Sequence, residues 1–275
     1  MTAREPTVWL TSQQAARWQR HGRYEPASLR HPAKMAPAIA AEAIRRYTRP
    51  GDLVVDPMCG IGTTLVEAMH LGRDAIGVEY EPDWAEHARS NVALAAASGA
   101  AGHGEVITGD ARHVRSLLPS AARHVALVLT SPPYGASLHD QPRFGSDGIE
   151  KRRDRYSADR SNLAYVGRDR LLAALQTIFT GCRLLLQPGG HVVLTVRPWR
   201  RDARLIDFPG AVERAASDAG LFVEDRHVAL LAGLRGEGLV SRASFFQIER
   251  TQYRRRGGIP LQLIAHEDVL ILAKR

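Results

Sequence analysis

The chain has 275 residues, 44% of them hydrophobic, which suits one α/β domain with a full core. Its 37 basic residues against 29 acidic ones leave a net charge of +8, and such a surplus favours a polyanionic partner, because Lys and Arg that neutralise phosphates release counterions. Cys59 and Cys182 give neither a metal-ligand spacing nor a disulfide framework and fit a reducing cytoplasm. The first residues carry no signal-peptide core and no apolar run approaches the ~20 residues of a membrane span, so no membrane partner is expected.

Residues 1–30 read as a polar, basic arm whose scattered aromatics, Trp9, Trp18 and Tyr24, suit packing on the domain that follows, residues 31–275. His31–Tyr47 has helical period. Asp52–Asp56 is a short buried strand, Gly60–Gly62 a loop and Thr63–Leu71 a helix. Asp74–Glu79 is the next strand, and Pro82–Ala97 a helix opened by Pro and acidic residues. Strands follow at Glu105–Thr108 and Val125–Thr130. Arg170–Leu186 is a long apolar-periodic helix stopped by Pro188-Gly189-Gly190. Then come a strand at His191–Val196, a helix at Phe208–Ala219, and strands at Leu221–Leu231 and Val269–Ala273. Strand alternating with helix in short apolar runs means a mostly parallel sheet covered on both faces, with ligands at the carboxyl ends of its strands. Two Gly- and Arg-rich insertions, 136–168 and 233–262, break the rhythm, and long loops of this kind inside a domain are usually functional or disordered.

Chemistry is therefore sought just after each strand. Asp56-Pro57-Met58-Cys59-Gly60-Ile61-Gly62-Thr63-Thr64 joins a strand to a helix. Its glycines let backbone approach a ligand, the helix N-terminus presents unpaired N–H groups, and Thr63 or Thr64 can cap it. Glu79, ending the next strand before Tyr80, can accept two bonds from ribose hydroxyls. This suits an adenosine-containing cofactor. The third glycine of the dinucleotide fingerprint is missing, Val66 or Glu67 standing there, which argues against a nicotinamide dinucleotide. Asp110, before Ala111, can accept from an adenine amine or simply cap the next helical turn.

The second motif is Thr130-Ser131-Pro132-Pro133-Tyr134-Gly135, at the same sheet edge. Two prolines fix the backbone and leave carbonyls free. A base amine is a poor nucleophile because its lone pair is delocalised into the ring. Ser131 Oγ and the Pro132 carbonyl can accept its two N–H bonds and draw the nitrogen toward a tetrahedral form. Tyr134 can stack on an extruded base. Of the basic runs, Lys151-Arg152-Arg153 is interleaved with Asp147, Glu150 and Asp154 and reads equally as a self-paired surface, whereas Arg254-Arg255-Arg256 follows Phe245, Phe246 and Tyr253 and suits a phosphate backbone with stacked bases. No metal site is expected.

The pair DPMCGIGTT and TSPPYG resembles the amino-methyltransferases of DNA, which methylate cytosine N4 or adenine N6. The resemblance extends to His31-Pro32-Ala33-Lys34-Met35 and, more loosely, to His266-Glu267-Asp268-Val269-Leu270. It implies a Rossmann-like, class I methyltransferase fold with a seven-stranded sheet whose last strand is antiparallel. It implies S-adenosylmethionine as cofactor. His31, Pro32 and Lys34 would stand near its methionine end. Asp56, Pro57, Met58, Cys59, Gly60, Gly62, Thr63 and Thr64 would form the cofactor loop. Glu79 and Tyr80 would lie at the ribose, and Asp110 and Ala111 at the adenine. Ser131, Pro132, Pro133 and Tyr134 would be the catalytic set. In the family, Ser at the first catalytic position goes mainly with cytosine, so cytosine N4 in DNA is the expected target, in DNA methylation of the restriction–modification kind. Enzymes that methylate guanosine N2 in transfer RNA share the Gly loop and a Pro-Pro-Tyr-Gly motif and are the nearest alternative. Adenine-N6 methylation and a non-catalytic nucleic-acid-binding protein on the same fold are the others.

Overall fold

Val54 and Val55 are neighbours in one strand, both fully buried, and belong to different cores, because successive side chains of a strand point to opposite faces. A sheet apolar on both faces needs helices on both. The computed structural model, which describes residues 6–135, 144–145, 148–149, 157, 159–201, 204–242 and 245–274, has them. Helices Arg168–Leu185 and Phe208–Asp218 cover the Val55 face, and Pro37–Tyr47 and Thr63–His70 the Val54 face.

The strands are β1 (Val8–Trp9), β2 (Leu53–Asp56), β3 (Asp74–Glu79), β4 (Gly104–Thr108), β5 (Val125–Thr130), β6 (Phe144–Gly145), β7 (Gly148–Ile149), β8 (Leu186–Val196), β9 (Trp199–Arg201), β10 (Arg204–Ile206), β11 (Leu221–Leu230), β12 (Ala232–Arg235), β13 (Gly238–Ser241) and β14 (His266–Lys274). Eight form one sheet in the order β1-β11-β14-β8-β5-β2-β3-β4, and the other six pair as three antiparallel hairpins. Within the sheet only β14 runs antiparallel to its neighbours. The chain steps outward from β2 to β3 and β4 on one side and from β5 to β8 on the other, which makes β2/β5 the switch point where such sheets bind ligands.

The expected fold class holds, with one strand more than the seven anticipated. Val8 and Trp9, placed in the arm, pair with Val228 and Ala229 of β11. Two residues are too few to show a strand period, so the sequence concealed them. The helix expected from His31 starts at Pro37, the residue whose ring fixes φ and whose missing N–H costs nothing in a first turn; Ala36 before it is extended. β8 runs on through Pro188-Gly189-Gly190, where a break was expected. The insertion 233–262 holds most of the β12–β13 hairpin and the helix Phe245–Arg256. Arg152 and Arg153 lie outside the described residues.

Two domain residues, Glu67 and Asn91, hold the arm through polar contacts. The Tyr24 hydroxyl and Arg23 Nη2 both donate to Glu67 at 2.9 Å. Glu25 N donates to Asn91 Oδ1 at 2.8 Å, while Asn91 Nδ2 donates to the Ile61 carbonyl at 2.9 Å.

Candidate active site

The Gly loop leaves β2 at Asp56, which is 3% exposed. Its carboxylate accepts from Met58 N at 3.1 Å and from Thr64 Oγ1 at 2.6 Å. Burial pushes its pKa up to about 6 against these bonds. Asp56 therefore braces the loop from beneath and is not among the residues that line the cleft. Thr64 is spent on Asp56 and Thr63 is buried. The helix cap is Gly62, with no side-chain cap bond, so neither threonine caps it. Gly60 and Gly62 have φ of 55° and 78°, the left-handed region that glycine tolerates. A Cβ at Gly60 would stand 3.3 Å from His31 Nε2, and one at Gly62 3.4 Å from Ala88 Cβ. The close approach is to these protein groups. Cys59 fills the slot left open by Gly77, where a Cβ would meet its sulfur at 2.7 Å, and burial raises its thiol well above the ordinary value.

A cleft opens beside this loop, lined by Pro57, Met58, Glu79, Tyr80, Asp110, Ala111, Arg112, Pro133 and Ser161–Leu163. Glu79 accepts from Gly60 N at 2.8 Å through one oxygen and from Glu81 N at 3.0 Å through the other. Burial pushes its carboxyl up to about 7, although those N–H bonds favour ionisation. Each oxygen keeps a second lone pair for a ligand hydroxyl. Asp110 caps the turn Ala111–His113 by accepting from Arg112 N at 2.9 Å, and the Arg112 guanidinium grips the same carboxylate. Burial opposes its ionisation, but the Arg112 bonds outweigh burial and hold it below its ordinary value. Asp110 thus caps the turn, one of its two sequence readings, and it also lines the cleft. Two carboxylates with spare acceptor sites between apolar walls match the diol, amine and ring faces of an adenosyl group, so these residues fit S-adenosylmethionine.

His31 is 3% exposed, accepts from Ala33 N at 3.2 Å through Nδ1, and meets the Trp84 ring edge-on at 4.7 Å between centroids. Burial, and then the Lys34 charge, lower its pKa to about 3. Lys34 Nζ donates to the carbonyls of Leu29 and His31, and Pro32 is exposed. His31 stands beside the Gly loop at Gly60, and none of the three is among the residues that line the cleft.

Ser131, Pro132 and Pro133 follow β5 directly, Ser131 partly open and Pro133 in the cleft wall. Tyr134, read from the sequence as able to stack on an extruded base, is half-buried. Its ring packs edge-on to Trp199 at 5.6 Å and tilted on Phe208 at 5.2 Å. Burial raises its phenol far above the ordinary value, with the Glu267 charge adding to it and the Arg197 backbone bonding the hydroxyl. Glu267, at the start of β14, is itself pushed up by burial, and its Oε2 is buried with no hydrogen-bond partner.

Sequence reasoning missed Arg112, which grips Asp110 two residues before it, and Asn162, Asn91 and Glu67, whose partners are distant in the chain. The one local signal was a polar residue inside an apolar helix: Glu67 in TTLVEAMH and Asn91 in the helix Pro82–Ala97. Arg254, Arg255 and Arg256 end the helix Phe245–Arg256, with Arg255 and Arg256 exposed. Among the described residues no cluster of His, Cys, Asp and Glu could hold a metal ion, and no helix is long and apolar enough to cross a membrane.

The fold and the cleft at its switch point define a class I, S-adenosylmethionine-dependent methyltransferase architecture. TrmN from Thermus thermophilus superposes with a TM-score of 0.55 at 19% identity, covering 94% of this chain and 53% of that one. A precorrin-6y C5,15-methyltransferase from Geobacter metallireducens gives 0.50 at 12% identity, covering 99% and 100%. Identities this low speak for the fold alone. The model of the DNA methylase family matches residues 4–90. The Type II methyltransferase M.MjaII of Methanocaldococcus jannaschii is 37% identical over 54 residues, 19% of this chain and 10% of that protein. The tRNA (guanine(10)-N2)-dimethyltransferase of Methanothermobacter thermautotrophicus is 31% identical over 108 residues, 39% and 30%. The chain thus spans less than a third of either curated relative. Over residues 4–90 the chain is thus similar to the DNA methylase family, a likeness that supports S-adenosylmethionine as its cofactor.

Proposed function

We propose that the protein transfers a methyl group from S-adenosylmethionine to an exocyclic amino group of a nucleic-acid base, cytosine N4 in DNA before others. The observation that carries this reading is the junction of motifs: Pro133 of the Ser-Pro-Pro-Tyr segment lines the same cleft as Glu79 and Asp110. When bound, the cofactor supplies an electrophilic sulfonium methyl. Glu79 holds its ribose hydroxyls and Asp110 its adenine amine, while Asp56, Thr64 and His31 keep the Gly loop in shape. Ser131 Oγ and the Pro132 carbonyl accept the two N–H bonds of the target amine and turn its lone pair toward the methyl. Catalysis is then mostly positioning and in-line approach. The packed ring of Tyr134 serves as the rigid floor on which a flipped base settles.

The DNA methylase match and the Type II relative favour DNA. The tRNA methyltransferase aligns over more of the chain, 39% against 19%, and favours RNA as the second reading. The test incubates the protein with isotopically labelled S-adenosylmethionine and, in parallel, genomic DNA, synthetic duplexes and total RNA, followed by nucleoside mass spectrometry. Labelled N4-methylcytosine supports the first reading. Labelled N6-methyladenine or N2-methylguanosine moves the target to adenine or to RNA. Cofactor binding without label in any polymer makes the protein a binding module on a methyltransferase fold.

A further inference from the structure

A second concavity lies at the β1 end of the sheet. Its volume is about 490 Å³, and Gln13, Arg17, Trp18, His21, Arg235 and Arg242 line it. One wall is the segment after β1, the other the β12–β13 hairpin. They are joined by Leu234 N donating to Gln13 Oε1 at 3.2 Å and Arg242 Nη2 donating to the Gln13 carbonyl at 3.3 Å. Gln19 fixes the first wall in turn, donating to the Thr11 carbonyl at 2.9 Å and accepting from Ala38 N at 3.0 Å. The groove is therefore built, with its walls tied to each other and to the domain.

Its chemistry is one-sided. Three arginines and a histidine face it, and no carboxylate is among its lining residues. The chain has 29 acidic residues, so a solvated, self-paired surface would have placed some of them here. Arg242 Nε is buried and has no hydrogen-bond partner among the described residues. Trp18 is 58% exposed, with the Arg17 guanidinium 5.3 Å from its ring centre. Tryptophan is normally well buried, and an open indole among guanidinium groups suits a base stacked beside a phosphate chain.

The position is as informative as the composition. β1 and β11 run in the same direction as β5, so the segments that leave them emerge at the same sheet edge as Ser131. Four strand steps separate β1 from β5. At ~4.8 Å a step that is about 19 Å, or roughly six nucleotides of a stacked strand.

We infer that this groove grips the phosphodiester backbone of the polynucleotide whose base is methylated, about six nucleotides from the target, and offers Trp18 to an unpaired base. The inference rests on the base-methylation reading. It gives the arm a recognition role beside the β12–β13 hairpin of the Arg-rich insertion 233–262.

The test uses the full chain, the exposed-residue variants Arg17→Ala/Arg235→Ala and Trp18→Ala, and labelled duplex DNA and single-stranded RNA of graded length. Binding is read by fluorescence anisotropy over a salt series. The double variant is expected to bind about tenfold more weakly, with the slope of log affinity against log salt shallower by about 2, one unit per lost phosphate contact. Its affinity for S-adenosylmethionine, read by calorimetry, is expected to stay at the wild-type value. Trp18→Ala is expected to weaken binding of the probe that carries unpaired bases and to leave the salt slope unchanged. The stronger wild-type arm, DNA or RNA, names the polymer. Variants that bind as tightly as wild type with the same slope overturn the groove alone. A wild-type chain that binds neither probe overturns the groove, and labelled bases absent from every polymer overturn the base-methylation reading itself.

Discussion

The Tyr80 hydroxyl donates to the Asp159 carboxylate at 2.6 Å, joining the end of β3 to a segment 79 residues further along the chain. Beside it Asn162 Nδ2 donates to Glu81 Oε1 at 2.6 Å. Together these bonds hold Ser161–Leu163 against the cleft, whose volume is about 40 Å³. Ligand pockets commonly measure roughly 300 Å³ or more, and an outward movement of this strap would widen the cleft toward that size. Tyr80→Phe is expected to raise the association rate of the cofactor a few-fold in stopped-flow tryptophan fluorescence. An unchanged rate would show that the strap opens without breaking this bond.

The stability of the Gly loop is linked to pH through His31. Its ordinary pKa of 6.5 falls to about 3 in the fold. The fold thus favours the neutral ring, and the contribution of His31 is complete above pH 6.5 and lost as the pH falls toward 3. The loss runs at about 1.4 kcal/mol per pH unit. Asp56 and Glu79 work the other way. Their pKa values are raised, so their contributions are complete at low pH and fade as the pH rises through about 6 and 7. Only the difference between wild type and His31→Asn isolates the histidine. In urea titrations that difference is expected to shift in favour of wild type as the pH rises from 4.5 to 6.5, by about 2 kcal/mol. A difference constant across that window would mean that His31 is charged in the fold.

Asn91 bridges Glu25 N and the Ile61 carbonyl with one side chain, and it is fully buried. Asn91→Ala leaves both backbone groups without that partner. Each is expected to cost about 1–3 kcal/mol. Chemical denaturation measures the loss, and Asn91→Asp, which can satisfy Glu25 N but not Ile61, is expected to fall between alanine and wild type.

Tyr134 presents two separable contributions. Tyr134→Ala empties the space beside Trp199 and Phe208 and is expected to cost about 3 kcal/mol along with methyl transfer. Tyr134→Phe keeps the packing and loses only the hydroxyl, so stability and cofactor affinity should remain near wild type and methyl transfer within about tenfold. Loss of transfer in the phenylalanine variant, with the fold intact, would assign the hydroxyl a direct part in catalysis.

The sheet was legible wherever a strand is a run of apolar residues, as in VALVLT, and the two motifs were legible because their geometry is local: strand, glycine turn, helix. Side-chain direction at a strand end was not. Asp56 stands at the tip of β2, where ligands bind, yet its carboxylate turns under the loop to meet Thr64, and nothing in DPMCGIGTT distinguishes the two orientations. Contacts between distant segments were equally hidden. Gln13 meets Leu234 across 221 residues, and only the pairing of β1 with β11 brings them together. The Tyr134 ring was read from its neighbours in sequence, whereas Trp199 and Phe208 decide where it lies.

The two-residue strand β1 also has a bearing on solubility. It covers the outer hydrogen-bonding row of β11, with Val228 N donating to the Thr7 carbonyl at 2.8 Å, and Trp9, 1% exposed, seals the corner against His227. A chain shortened past Trp9 would present β11 as a bare edge beside an apolar hollow, a template on which further strands can pair. Such a protein should self-associate on purification. Trimming the arm to improve handling would therefore have the opposite effect.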